Sequence, residues 1–117
     1  MPIAASLEDK LLLKTGEKVF LVNPPKDLPV TSVAKSIDLA DAVLLHARTS
    51  QDLSKHVQTV KSVPPEARLW VCYPKAGKLD TDLGRDKLWM WMKEQGFEGV
   101  RLVSVDDTWS AFWFKRL

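Results

Sequence analysis

The chain has 117 residues, 45% of them hydrophobic and 27% charged, which suits one soluble globular domain with a real core. Its net charge is +2, from 17 Lys and Arg against 15 Asp and Glu, scattered along the chain, which excludes the basic patch that a nucleic-acid partner requires. A single cysteine excludes an internal disulfide framework, and no apolar run approaches the ~18 residues of a membrane span.

The first residues, Met1 to Ser6, lack a basic stretch followed by a long apolar run, so no signal peptide is read there and the expected location is the cytoplasm. Ser6-Leu7-Glu8-Asp9 fits a capping box with Asp9 in the Glu position, and Leu7 and Leu11 share a face, which predicts a short helix that stops at Gly16 and lies on a sheet. Val19-Phe20-Leu21-Val22 after Lys18 is a continuous apolar run, as in a strand covered on both faces. Asn23-Pro24-Pro25-Lys26-Asp27 ends it, since proline donates nothing to a ladder. Val30 to Ala34 reads as a short edge strand or, second, as one helical turn.

Ala42-Val43-Leu44-Leu45-His46-Ala47 is another strand buried on two faces, followed by Arg48. Thr49-Ser50-Gln51-Asp52 is a second capping-box match, and Leu53, Val57 and Val60 then fall at helical spacing. Pro64-Pro65 ends that helix. The strand Leu69-Trp70-Val71-Cys72-Tyr73 follows and breaks at Pro74 into a loop carrying Lys75 and Lys78. Strand, helix and strand in this order predict a parallel βαβ unit with a right-handed crossover. Cys72 reads as a small buried hydrophobe.

Thr81 or Asp82 is expected to cap a helix over roughly residues 83 to 95, with Leu88, Trp91, Met92 and Gln95 inward and Gly96 as the stop. Val100 to Val105 reads as a strand, Asp106-Asp107-Thr108 as a turn, and Trp109 to Phe114 as an antiparallel return strand. The apolar load on both faces of this last strand places it inside the sheet or under helices, not at a bare edge.

The order Leu13-Lys14-Thr15-Gly16-Glu17-Lys18 before a strand, then Ala40 to Leu45 and Val63 to Val71, resembles class I S-adenosylmethionine-dependent methyltransferases. That resemblance implies a three-layer, Rossmann-like α/β sandwich with a mainly parallel sheet and a C-terminal antiparallel hairpin strand inserted between the preceding two strands. The topology is shortened: fewer than about twenty residues separate the first strand from the next, and a βαβ crossover alone needs about 10–12. Where that family has a glycine-rich cofactor loop, this chain reads Asn23-Pro24-Pro25-Lys26, with two amide donors removed, so no cofactor is expected. The chain also resembles a family of small bacterial domains of unknown function, in Tyr73-Pro74-Lys75, in Thr81-Asp82-Leu83 with Arg85-Asp86, and in Val105-Asp106-Asp107-Thr108-Trp109-Ser110.

Open α/β sheets hold ligands outside the carboxyl ends of their parallel strands. Those ends give Asn23, Lys26, Arg48, Tyr73, Lys75, Asp106 and Asp107 as candidate ligand-binding residues, with Asp82 and Arg85 at the same edge. Lys26, Arg48 and Lys75 suit a small anion. Asp82, Asp106 and Asp107 suit pairing with Lys75 and Arg85, or a hard cation; helix capping by Asp82 and turn chemistry at Asp106-Asp107 account for the same residues more simply. His46 and His56 have no second ligand at metal spacing, His56 being set for a surface pairing with Asp52. No serine or cysteine sits in a nucleophile motif, so neither a metal site nor a catalytic residue is assigned.

Met90 falls on the polar arc of its helix beside Asp86 and Lys93, with Trp89 on its flank, which suits either a contact surface for a homodimer or protein partner or the isolated exposed apolar residues common on protein surfaces. The expected role is a cytoplasmic binding or regulatory domain. The alternatives are a degenerate or partner-completed methyltransferase and a structural oligomerisation module.

Overall fold

The computed structural model describes residues 17–24, 34–64, 66–75, 77–78 and 81–117. Five strands, β1 (Val19–Val22), β2 (Ala42–His46), β3 (Arg68–Pro74), β4 (Phe97–Ser104) and β5 (Trp109–Arg116), form one sheet in the order β1-β2-β3-β5-β4. The α-helices are α1 (Ser50–Lys55), α2 (Val57–Lys61) and α3 (Arg85–Glu94), and a 3-10 turn covers Ile37–Leu39.

β1, β2 and β3 pair in parallel, and β5 runs antiparallel to both β3 and β4. The last strand therefore sits between the preceding two, which its two apolar faces allow. Four described strands share one direction, yet half of the described pairings are antiparallel, because β5 lies between two of them.

Every residue of β2 is buried. Val43 and Leu45 face one side with Leu69, Val71 and Tyr73 of β3, and Leu44 faces the other with Trp70 and Cys72. Period-two geometry on a strand covered from both sides explains the unbroken apolar runs. Leu53 of α1, Val60 of α2 and Leu88 and Met92 of α3 all pack on the first side. Among the described residues no helix joins the second cluster, where Ala111 closes over Cys72 and Trp113 stacks on Trp70 at 5.9 Å. The short N-terminal helix expected before Gly16 falls on residues outside those described, as does the Val30 to Ala34 segment except Ala34, whose amide donates to the Val19 carbonyl at 2.8 Å.

Several boundaries depart from expectation. The helix predicted from one capping box is broken at His56, which takes φ −108° and ψ 17°. The His56 ring Nδ1 lies 2.9 Å from the Asp52 carbonyl oxygen, so it meets the backbone rather than the Asp52 carboxylate. That carboxylate closes the capping box and also accepts from the Arg48 amide at 2.9 Å. α3 starts at Arg85 behind Gly84, which makes no side-chain cap. It ends as predicted, with Gly96 at φ +89° in the left-handed region that glycine tolerates. β4 begins at Phe97, three residues before the apolar run, because Phe97 and Glu98 pair with Arg116 and Lys115 at the far end of a longer β5. β1, an edge strand among those described, buries Val19 and Val22 fully and Phe20 and Leu21 only in part. Among the described residues no helix is long and apolar enough to cross a membrane.

Gly99 is a position where shape decides the residue. A Cβ there would lie 2.7 Å from the Phe112 ring and 3.4 Å from the Trp89 indole. Overpacking of this kind costs about 1–3 kcal/mol. Gly99→Val is expected to lower the urea unfolding midpoint accordingly, and an unchanged midpoint would show that the β4–β5 contact is looser than described.

Candidate functional site

The carboxyl edge of the parallel strands is joined by side chains rather than left open. Asn23 follows β1 at φ 53°, a left-handed conformation that asparagine accepts better than most residues. Its amide Nδ2 donates to the His46 carbonyl at 2.9 Å and ties the end of β1 to the end of β2.

His46 ends β2 at 3% exposure, opposite Cys72 in register. Its ring meets the Trp109 indole edge-on at 5.2 Å. The ring Nδ1 is buried without a hydrogen-bond partner. Burial strips water from the imidazolium and lowers the pKa from 6.5 to about 4, against the opposing pull of the Asp106 carboxylate. The same burial, reinforced by Asp106, pushes the Cys72 thiol well above its usual range. Both side chains are therefore uncharged at neutral pH.

Arg48 stands one residue past Ala47. Its backbone is held at both ends: the amide donates to Asp52 Oδ2 at 2.9 Å, and the carbonyl accepts from Thr81 Oγ1 at 2.5 Å. Its side chain is exposed, and no described carboxylate lies within ion-pair distance.

Asp82 was expected to start its own helix, and it caps a different one. Its Oδ1 accepts from the Ser50 amide at 2.9 Å and its Oδ2 from the Ser50 hydroxyl at 2.6 Å, so the carboxylate sits on the first turn of α1. The Ser50 hydroxyl and amide, then Lys87 at 3.3 Å, lower its pKa to about 2. Thr81 accepts from the Leu83 amide at 3.0 Å. The β3–α3 loop is thereby anchored to the start of α1.

Lys75 donates through Nζ to Ser104 Oγ and through its amide to the Thr108 carbonyl, each at 2.7 Å. Asp106 Oδ1 accepts the amides of Thr108 and Trp109 at 2.8 Å each, which is the turn chemistry expected of it. Asp107 is exposed in the same turn.

Asn23, Arg48, Lys75, Asp82, Asp106 and Asp107 thus gather along one edge, mostly as scaffold. Tyr73 does not join them. Its side chain packs into the helix-covered core at 5% exposure, and its hydroxyl pKa is raised by burial, with Arg85 opposing. Arg85 pairs with Asp86 at 3.3 Å on the surface of α3. Lys26 lies outside the described residues. Among the described residues no three His, Cys, Asp or Glu side chains gather as a metal site requires. The burial of His46 follows from its place in a strand read as covered on both faces, whereas its contact with Trp109 was missed in the sequence, where the histidine's chemistry was weighed only as that of a metal ligand. A polar residue closing a wholly apolar strand was the available signal.

Trp89 and Met90 are 46% and 59% exposed, as the helical wheel predicts. Trp89 forms one wall of a shallow groove of about 300 Å³ shared with Arg85, Val100, Leu102 and Phe112.

No protein-family model and no curated protein matches the chain. Among solved structures it is similar to LepI in complex with SAM, at TM-score 0.53 and 12% identity, and to a cysteine-to-alanine variant of LepI in complex with SAH and a substrate analogue, at TM-score 0.56 and 11% identity. Each match covers 95% of this chain and 39% of LepI, so the chain spans well under half of that protein's length. Likeness at this identity shows a shared fold and nothing further.

The lowered pKa of His46 has a stability consequence. Between pH about 6.5 and about 4 the unfolded chain binds a proton at this residue that the folded chain does not. Stability from this group is complete above the upper value and falls with pH through that window, by on the order of 3 kcal/mol in all. Urea unfolding of the wild type is expected to weaken between pH 7 and pH 5 more than that of His46→Gln. Equal losses in the two proteins would mean that His46 is protonated in the fold.

Proposed function

We propose that this chain is a non-catalytic binding domain that holds a small anion at the carboxyl edge of its sheet, with Arg48 as the principal contact. The observation behind this reading is the state of Arg48: its backbone is fixed by Asp52 and Thr81, and its exposed side chain has no described carboxylate partner. A cation anchored in this way loses less freedom on binding than one on a loose loop. His46 and Cys72, the groups at this edge best suited to proton transfer or nucleophilic attack, are held neutral and buried, which favours binding over catalysis. A cytoplasmic location and kinship with the small bacterial family that the Tyr73 to Lys75 and Asp106 to Ser110 segments resemble belong to the same proposal. So does a three-layer sandwich completed by the N-terminal segment.

A second reading, a degenerate or partner-completed methyltransferase, draws support from the SAM and SAH complexes among the structural neighbours. It is weakened by Pro24 directly after Asn23, which puts an imino nitrogen where a cofactor-binding loop offers amide donors.

Titration of inorganic phosphate into isotope-labelled protein is expected to shift the amides of Arg48, Ser50 and Asn23 saturably, and Arg48→Glu is expected to abolish those shifts. Saturable binding of SAH, with none of phosphate, would transfer the weight to the second reading. The proposal extends to Trp89 and Met90 as a protein-contact surface. Met90→Lys is expected to weaken self-association in light scattering without lowering the melting temperature; an unaltered dimer would remove that surface from the account.

A further inference from the structure

The opposite end of the sheet carries a second feature, separate from the carboxyl edge and independent of the reading given to it. A hollow of about 240 Å³ opens where β3 begins and β5 ends. Among the described residues its charged lining is Arg68, Lys115 and Arg116 with the carboxylate of Glu66, and its apolar lining includes Trp113 and Phe97. Arg68 pairs with Glu17 through its terminal nitrogen. Lys115 and Arg116 have no described carboxylate within ion-pair distance, although adjacent uncompensated cations repel one another.

Arg116 is fixed rather than loose. A terminal nitrogen of its guanidinium donates to the Val63 carbonyl and, at 3.5 Å, to the Lys61 carbonyl at the end of α2. Its Cζ lies 5.0 Å from the centroid of the Phe97 ring. The planar group is thus anchored on one side and carries further N–H donors. Lys115 is the preceding residue of the same strand and Trp113 the residue before the intervening Phe114, so β5 presents two cations and an indole to one hollow. Trp113 is itself braced by stacking on the fully buried Trp70.

We propose that this hollow is a second ligand site, taking a small aromatic anion whose carboxylate or phosphate is held by Lys115, Arg116 and Arg68 and whose ring lies against the half-buried Trp113. The volume lies below the usual range for drug-sized ligands, about 300–1,000 Å³, which limits the ligand to a single ring with its charged group. The net positive lining selects the anion, and the aromatic wall selects against a bare inorganic ion.

The test is a titration of phenyl phosphate into isotope-labelled protein, with inorganic phosphate and benzyl alcohol as probes of the head group and the ring alone. The expected result is saturable shifts at the Trp113 indole N–H and at the amides of Lys115 and Glu66, with phenyl phosphate at least roughly ten-fold tighter than either control. Lys115→Glu, a change at an exposed side chain outside the core, is expected to weaken binding by roughly ten-fold or more in protein that remains folded, with the melting temperature lowered only slightly by the like charge it sets opposite Glu98. Lys115→Arg should retain binding. The proposal is overturned by absence of saturable shifts, by equal affinity for inorganic phosphate, by undiminished binding in a folded Lys115→Glu, or by shifts confined to Arg48, Ser50 and Asn23. The last pattern leaves the carboxyl-edge reading standing and removes only this one.

Discussion

The fold rests on the burial of β2 and β3 from both sides. Leu44 and Trp70 are as fully enclosed on one face as Val43 and Val71 are on the other. A strand in that position has nowhere to place a polar side chain except at its ends, so chemistry is displaced to the two edges of the sheet. The same constraint sets the place of β5. Its register puts Phe112 and Phe114 on the helix-covered side, and Ala111 and Trp113 on the other, and only an interior position covers both rows. β4 is left as an outer strand among those described, with Val100 and Leu102 exposed.

Much of this was legible in the residues. Continuous apolar runs at 42–45 and 69–73 announced strands covered twice, the run at 19–22 announced a strand that the edge leaves only partly covered, and the Thr49–Asp52 capping box marked the start of α1. Capping by Asp82 was also legible as a residue type, but its partner was not. A carboxylate can satisfy any free helical amide within reach, and tertiary contact rather than sequence distance brought it to Ser50. The break at His56 was hidden for a similar reason: its ring finds the Asp52 carbonyl locally and competes with a regular helix. Tyr73 was placed at the edge by its position near the end of a strand, whereas period-two alternation turns it into the core with Leu69 and Val71.

The carboxyl edge shows how a small domain stabilises the place where its strands end. Asn23, Thr81, Asp82, Lys75 and Asp106 each bridge two segments or close a turn. Residues that suggest a binding site in the sequence are here consumed in joining loops, and the exposed Arg48 is distinguished by what its neighbours leave unpaired. The amino edge reverses this balance. There Arg116 is anchored by carbonyls and by Phe97, and the described cations Arg68, Lys115 and Arg116 outnumber the carboxylates of Glu66 and Glu17 beside them. Likeness of fold to the solved structures accords with the order of the strands without explaining either edge, because a fold positions sites and does not specify their chemistry.

The central claim, that the carboxyl edge holds a small anion through Arg48, is tested most directly by native mass spectrometry of the gently purified protein beside its Arg48→Glu variant. A small stoichiometric adduct in the wild type, absent from the variant, is the predicted result. An adduct with the mass of S-adenosylmethionine, or one that persists unchanged in the variant, would contradict it.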